Sequence, residues 1–150
     1  MLTIHAADAL RYGWGDDAEP VKDGAVAVEG ARIVGVGPLA EVQQRFPDAR
    51  VRRWPGTLGP ARLHQGPLPD APTPRERIHA VLKSGAVAVL EQYAGTPELR
   101  AAAQRNDVVV LPGSRPTAIS DTGRADLAVF DDSGTCIATV CAGRLVHRRR

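Results

Sequence analysis

The segment Gly59-Pro60-Ala61-Arg62-Leu63-His64-Gln65-Gly66-Pro67-Leu68 ends a short run of extended character on a histidine, just ahead of a proline-rich loop. An imidazole at a strand end suits two kinds of chemistry. It can ligate a metal if two further donors converge with it around an open coordination position. It can also move a proton as a general acid or base if a carboxylate orients it. Asp70 and Glu91 are the carboxylates placed for that second role, because both follow short strands of the middle region, at the end where α/β sheets bind ligands.

Other donors are scarce. Of the four histidines, His5 falls in the first strand and His147 in the last. His79 lies off the apolar stripe of its helix, beside Glu76 at i, i+3, and is expected to be exposed. Cys136 and Cys141 stand in an extended run, five residues apart. Alternation along a strand sends them to opposite faces, so they neither share a metal nor bridge each other and are read as buried free thiols. The acidic loop Asp16-Asp17 with Glu19 offers too few oxygens for calcium. No nucleophile elbow and no phosphate loop is present. The residues therefore predict no catalytic, metal-binding or cofactor-binding set. The alternative is a rebuilt, metal-free hydrolase or deaminase site around His64, with Asp70 or Glu91.

Composition narrows the class. A net charge of +2 is too small to argue for nucleic acid, and 4% aromatic residues leave no platform for stacking bases. Lys22 and Lys83 are the only lysines, so arginine carries almost all the positive charge. The run Arg148-Arg149-Arg150 reads as a solvated tail. No apolar stretch approaches the ~18 residues of a membrane span, and MLTIHAADAL has neither a basic n-region nor a long apolar h-region. A cytoplasmic protein is expected, with no nucleic-acid or membrane partner. A chain of 150 residues can bury one core or two small ones that lean on each other.

The elements that must position His64 fall into two kinds. At the start, GAVAVEGARIVGVG reads as a hairpin turning at Glu29-Gly30-Ala31. Pro38 opens a short helix with Leu39, Val42 and Phe46 on one face, and Arg50–Trp54 is extended again. The last quarter, ADLAVFD, CIATV and RLVH, reads as a meander turning at Asp131–Gly134 and Ala142-Gly143. The middle differs. Thr73-Pro74-Arg75-Glu76 is a helix start with N-cap, N1 proline and capping-box glutamate, followed by the apolar stripe Ile78, Val81 and Leu82. Thr96-Pro97 starts a second helix, which Asn106 ends. AVAVL and DVVVL lack polar alternation, as strands of a parallel sheet do. Residues 60 to 111 thus read as strand–helix–strand–helix–strand. Trp14 and Trp54 are expected to anchor packing, and Arg144 to be solvated.

The two ends resemble the amidohydrolase superfamily, in particular its imidazolonepropionase-like and cytosine- or guanine-deaminase-like members. VKDGAVAVEGARIVGVGPLAEVQQRFPDAR matches that family's opening hairpin and helix. GRADLAVFDDSGTCIATVCAGRLVHRR matches its closing strands, where an ADL-V-FD segment leads to a V-x-GR-V ending. The resemblance implies an α+β fold in which residues 1–58 and 120–150 form a composite β-sandwich. Residues 59–119 stand where the family carries its catalytic barrel. Such a barrel takes ~250 residues and eight strands, so the insert is a βαβαβ remnant that cannot close.

The family's first metal motif is His-x-His at the end of the first barrel strand, where residues i and i+2 point the same way. Aligned from Pro60, those two positions hold Gly66 and Leu68; aligned on His64, the second is Gly66. The resemblance implies hydrolysis of carbon–nitrogen bonds other than peptide bonds. The broken pair implies that this activity is lost and that the chain is a binding or assembly module. Its unpaired sheet edges imply a homodimer.

Overall fold

Short apolar and alternating runs at both ends of the chain can satisfy their backbones only by pairing with one another. The computed structural model describes residues 2–15 and 17–149. Asp16 of the acidic loop and Arg150 of the arginine run lie outside the described residues. In chain order the elements are β1 (Leu2–Leu10), β2 (Val21–Glu29), β3 (Arg32–Pro38), α1 (Leu39–Arg45), β4 (Arg50–Pro60) and β5 (Arg62–His64). There follow α2 (Pro74–Lys83), β6 (Ala86–Leu90), α3 (Pro97–Arg105), β7 (Val109–Leu111), β8 (Leu127–Phe130), β9 (Cys136–Cys141) and β10 (Arg144–Arg148). The fold is α+β, with a large mixed sheet and a small parallel one.

Both chain ends enter one seven-stranded sheet of order β10-β9-β8-β4-β1-β2-β3. The seam between them is β4 against β8, from Thr57 opposite Phe130 to Pro60 opposite Leu127. The sheet rolls until its end hairpins meet: a Cβ on Gly143, in the β9–β10 turn, would run into the carbonyl oxygen of Gly30 in the β2–β3 turn. The two chain ends thus share a single continuous sheet whose end turns meet. Leu10, Val26, Ile33, Leu58, Leu127 and Val140 fill its interior. Its outer face over β1 and β2 is covered by α1 through Leu39 and Val42.

The middle region folds as the apolar runs predict, into a parallel sheet of order β5-β6-β7. Both helices start on threonine caps: Thr73 Oγ1 accepts from Glu76 N at 3.2 Å, and Thr96 Oγ1 from Leu99 N at 3.1 Å. Ile78, Val81, Leu82, Leu99, Ala102 and Ala103 pack between the small sheet and the outer face of β8 and β9. Buried Thr139 of β9 donates to the Leu82 carbonyl at 2.8 Å and fixes the end of α2 against the large sheet.

Three expectations change. The β8–β9 register shifts so that Cys136 opposes Phe130 while Ala138 opposes Val129. Ile137 is therefore an extra residue, a bulge that reverses alternation. Cys136 and Cys141 accordingly share the helix side, while Ala138 and Val140 face the rolled interior. His79 is half-buried rather than exposed. Arg144 is not free in solvent: its Nη2 lies 2.6 Å from Asp107 Oδ2, just beyond α3. Arg148 and Arg149 are exposed, as expected of a solvated run, and each makes a surface contact: Arg148 lies 5.7 Å over the Trp54 ring and Arg149 is 3.6 Å from Asp131. Trp14 does anchor packing, donating to the Pro60 carbonyl at 2.6 Å and meeting Phe130 edge-on at 5.2 Å.

Candidate functional site

The small sheet has two faces, and only one is covered by helices. The other carries Leu63, Ala88 and Leu111, with Leu90 and Val109 beside them. In a closed barrel that face would look inward. Here the segment after β7 runs across it and leaves a cleft of about 350 Å³, walled by Leu63, Ala88 and Leu111 on one side and Arg115, Thr117 and Arg124 on the other. A neighbouring cleft of about 490 Å³ shares Arg62, Leu63 and Arg115 with it and adds Trp14 and Gln65.

The groove's polar groups are mainly cationic. The Arg62 guanidinium lies 4.1 Å over Phe130 and 5.0 Å over Trp14, a cation–π arrangement that holds it flat at the rim. Arg124 grips Asp126 through Nε at 2.9 and 2.8 Å and donates from Nη2 to the Asp107 carbonyl at 2.7 Å. Asp126, among the described residues the sole carboxylate lining either cleft, also accepts from Ala142 N at 2.9 Å. It is committed to structure. Apolar walls with fixed cations at the rim suit an apolar body with an acidic group.

His64 serves neither cleft. In register it stands beside Val89, which stands beside Val110, and both valines pack on the helix side. Strand alternation gives the groove Leu63 and Gln65 instead. The His64 ring turns to its own loop, with Nε2 2.9 Å from the Pro67 carbonyl oxygen. No hydrogen bond or ion pair joins it to Asp70 or Glu91 among the described residues.

A hydrolytic zinc does not fit the donors present. Gly66, at the second motif position, brings no ligand and takes a left-handed φ of 116°. Leu68, the other candidate position, is 4% exposed and part of the helix-side core. Among the described residues, no three His, Cys, Asp or Glu side chains group so as to hold a metal. The thiols are not poised as nucleophiles either. Burial pushes Cys141 up to about 11, against a smaller opposing pull from Arg124, and burial likewise raises Cys136.

Sequence reading missed the groove. Arg62, Arg115 and Arg124 sit in loop-like or edge segments, and only the crossing of residues 112–126 over the small sheet brings them together. The inward parity of Leu63 and Gln65 was the available signal.

Comparison with known proteins agrees with the architecture. Residues 24–49 match the family model described as imidazolonepropionase-like composite domain, bacteria. No curated protein matches the sequence. Among solved structures, a Xanthomonas campestris adenosine deaminase with bound zinc is similar at TM-score 0.56 and 20% identity, over 80% of this chain and 36% of that one. Aspergillus niger ochratoxinase gives 0.53 at 19% identity, over 73% and 30%. Escherichia coli guanine deaminase gives 0.53 at 14%, over 73% and 35%. The chain thus spans about a third of the length of the structures it matches. The fold is similar to that of these deaminases and of ochratoxinase.

Proposed function

We propose that this chain, whose fold relates it to the amidohydrolases, no longer carries out metal-dependent hydrolysis and serves as a binding or assembly module. One observation carries the reading. The composite sheet is complete and joined along β4 and β8, while the parallel insert has three strands and His64 faces its own loop instead of the inner cleft. A family zinc site needs several histidines and acids from strands around a barrel wall. The three strands of the insert supply one imidazole, that of His64, and it is turned to its own loop.

Two features support a binding role. The groove between the small sheet and residues 112–126 combines apolar walls with Arg62 and Arg115, which suits a small molecule with an acidic head. The small sheet also ends on β5 and β7 as open edges, and pairing of such edges between two copies is the assembly we favour. Free, buried thiols at Cys136 and Cys141 fit a reducing cytoplasm. Among the described residues no helix is long and apolar enough to cross a membrane.

The test is turnover on cyclic amides and aminated bases with zinc or iron supplied, alongside sedimentation of the same sample. The reading expects no turnover above buffer and a dimer at micromolar concentration. Metal-dependent turnover that His64→Ala abolishes would overturn it.

A further inference from the structure

The rolled sheet carries a second site, independent of the reading of the insert. Alternation along β1 turns Thr3, His5 and Ala7 into the roll. The parallel neighbour β4 sets Arg50, Arg52 and Trp54 directly beside them: Thr3 opposite Arg50, His5 opposite Arg52, Ala7 opposite Trp54. A histidine only 3% exposed is thereby placed against two arginines.

The tautomer of that histidine follows from its neighbour. Trp54 Nε1 lies 3.2 Å from His5 Nδ1. An indole N–H only donates, so Nδ1 must accept and the neutral ring carries its proton on Nε2. The ring stays neutral because burial, and then the Arg52 charge, lower its pKa to about 4. Nε2–H has no hydrogen-bond partner among the described residues. Every fully buried side-chain nitrogen or oxygen among them does have one, so Nε2 must open onto a space. That space is a cleft of about 190 Å³ at the end of the roll, lined by His5 with Thr3, Gly30, Arg50, Arg52 and Gly143.

Among the described residues no carboxylate lines the cleft, and neither Arg50 nor Arg52 forms an ion pair. A buried N–H donor, a hydroxyl and two unpaired guanidiniums call for an acceptor that bears negative charge. A water molecule satisfies Nε2–H without neutralising either guanidinium charge.

We infer that this cleft binds a small oxyanion of about the size of phosphate, with His5 Nε2–H donating at its floor and Arg50 and Arg52 at its mouth. The natural source is either a free anion or the phosphate group of a small ester, because the cleft opens to solvent beside exposed Arg50.

The experiment is a titration of the full chain with inorganic phosphate at constant ionic strength, read by the ¹H–¹⁵N signals of the Trp54 indole and the His5 ring. A second arm uses methyl phosphate, and tighter binding of that arm assigns the ester. We expect saturable shifts of both signals at millimolar phosphate. Arg52→Gln and Arg50→Gln should each weaken binding at least tenfold, and Arg53→Gln, whose side chain alternates to the opposite face, should leave it unchanged. Signals that fail to saturate in both arms would overturn the site. So would equal weakening by R53Q and R52Q, which would mark diffuse attraction to charge.

Discussion

His64 is one residue out of step with the surface it would have to serve. Leu63 and Gln65 take the inward positions of β5, and the histidine next to them spends its hydrogen bond on Pro67. Residue-scale chemistry sits elsewhere, in two buried groups whose protons are displaced. His5 has a folded-state pKa of about 4 against an ordinary 6.5. Above pH 6.5 both folded and unfolded chains hold it neutral, and it makes no difference to stability. Between 6.5 and 4 the unfolded chain binds a proton that the folded chain refuses, so stability falls as pH drops and the loss is complete below 4. The size is roughly 3 kcal/mol. Urea unfolding at pH 7.5, 5.5 and 4 should show that decline, and His5→Gln should flatten it. The thiols give a second expectation. With Cys141 pushed up to about 11 and both cysteines buried, a disulfide reagent at pH 8 should label neither in the native protein and both in 6 M guanidinium. Rapid native labelling would contradict the placement of β9.

At the scale of elements, local signals and long-range contacts divide the credit. The caps on Thr73 and Thr96 are readable because a hydroxyl, a proline and three residues of spacing are enough to specify them. Thr73→Ala should therefore cost about 1 kcal/mol, measurable as a lowered midpoint in urea at unchanged slope. The parallel strands β6 and β7 were equally legible, since five or fewer apolar residues without alternation leave few other folds. The bulge at Ile137 was not. Nothing within CIATVC announces an extra residue, because register against β8 creates it, and so the cysteine faces came out reversed. The roll of the large sheet was hidden for the same reason. It depends on two turns touching that are more than a hundred residues apart, Gly30 and Gly143. Gly143 combines a φ of 83° with that backbone contact, so Gly143→Ala should destabilise by roughly 3 kcal/mol or more. A substitution that left the midpoint unchanged would mean that the end hairpins do not meet.

At the scale of the whole molecule, both chain ends share one seven-stranded sheet, and a three-stranded parallel sheet lies between them in the sequence. The helices α2 and α3 bury one face of the insert against β8 and β9, which explains how three parallel strands persist without a closed barrel. What they leave is a groove with cationic rims and two short open edges. The proposed binding and pairing rest on these two features. In sedimentation at micromolar concentration, the open edges predict a dimer, and a stable monomer at that concentration would contradict the proposed pairing.

The account rests on a donor set that cannot enclose an ion, and equilibrium dialysis against zinc at neutral pH tests that most directly. We expect less than 0.1 zinc per chain retained after exchange into metal-free buffer, with His64→Ala indistinguishable from the parent. One zinc per chain, held through exchange and released by that substitution, would contradict it.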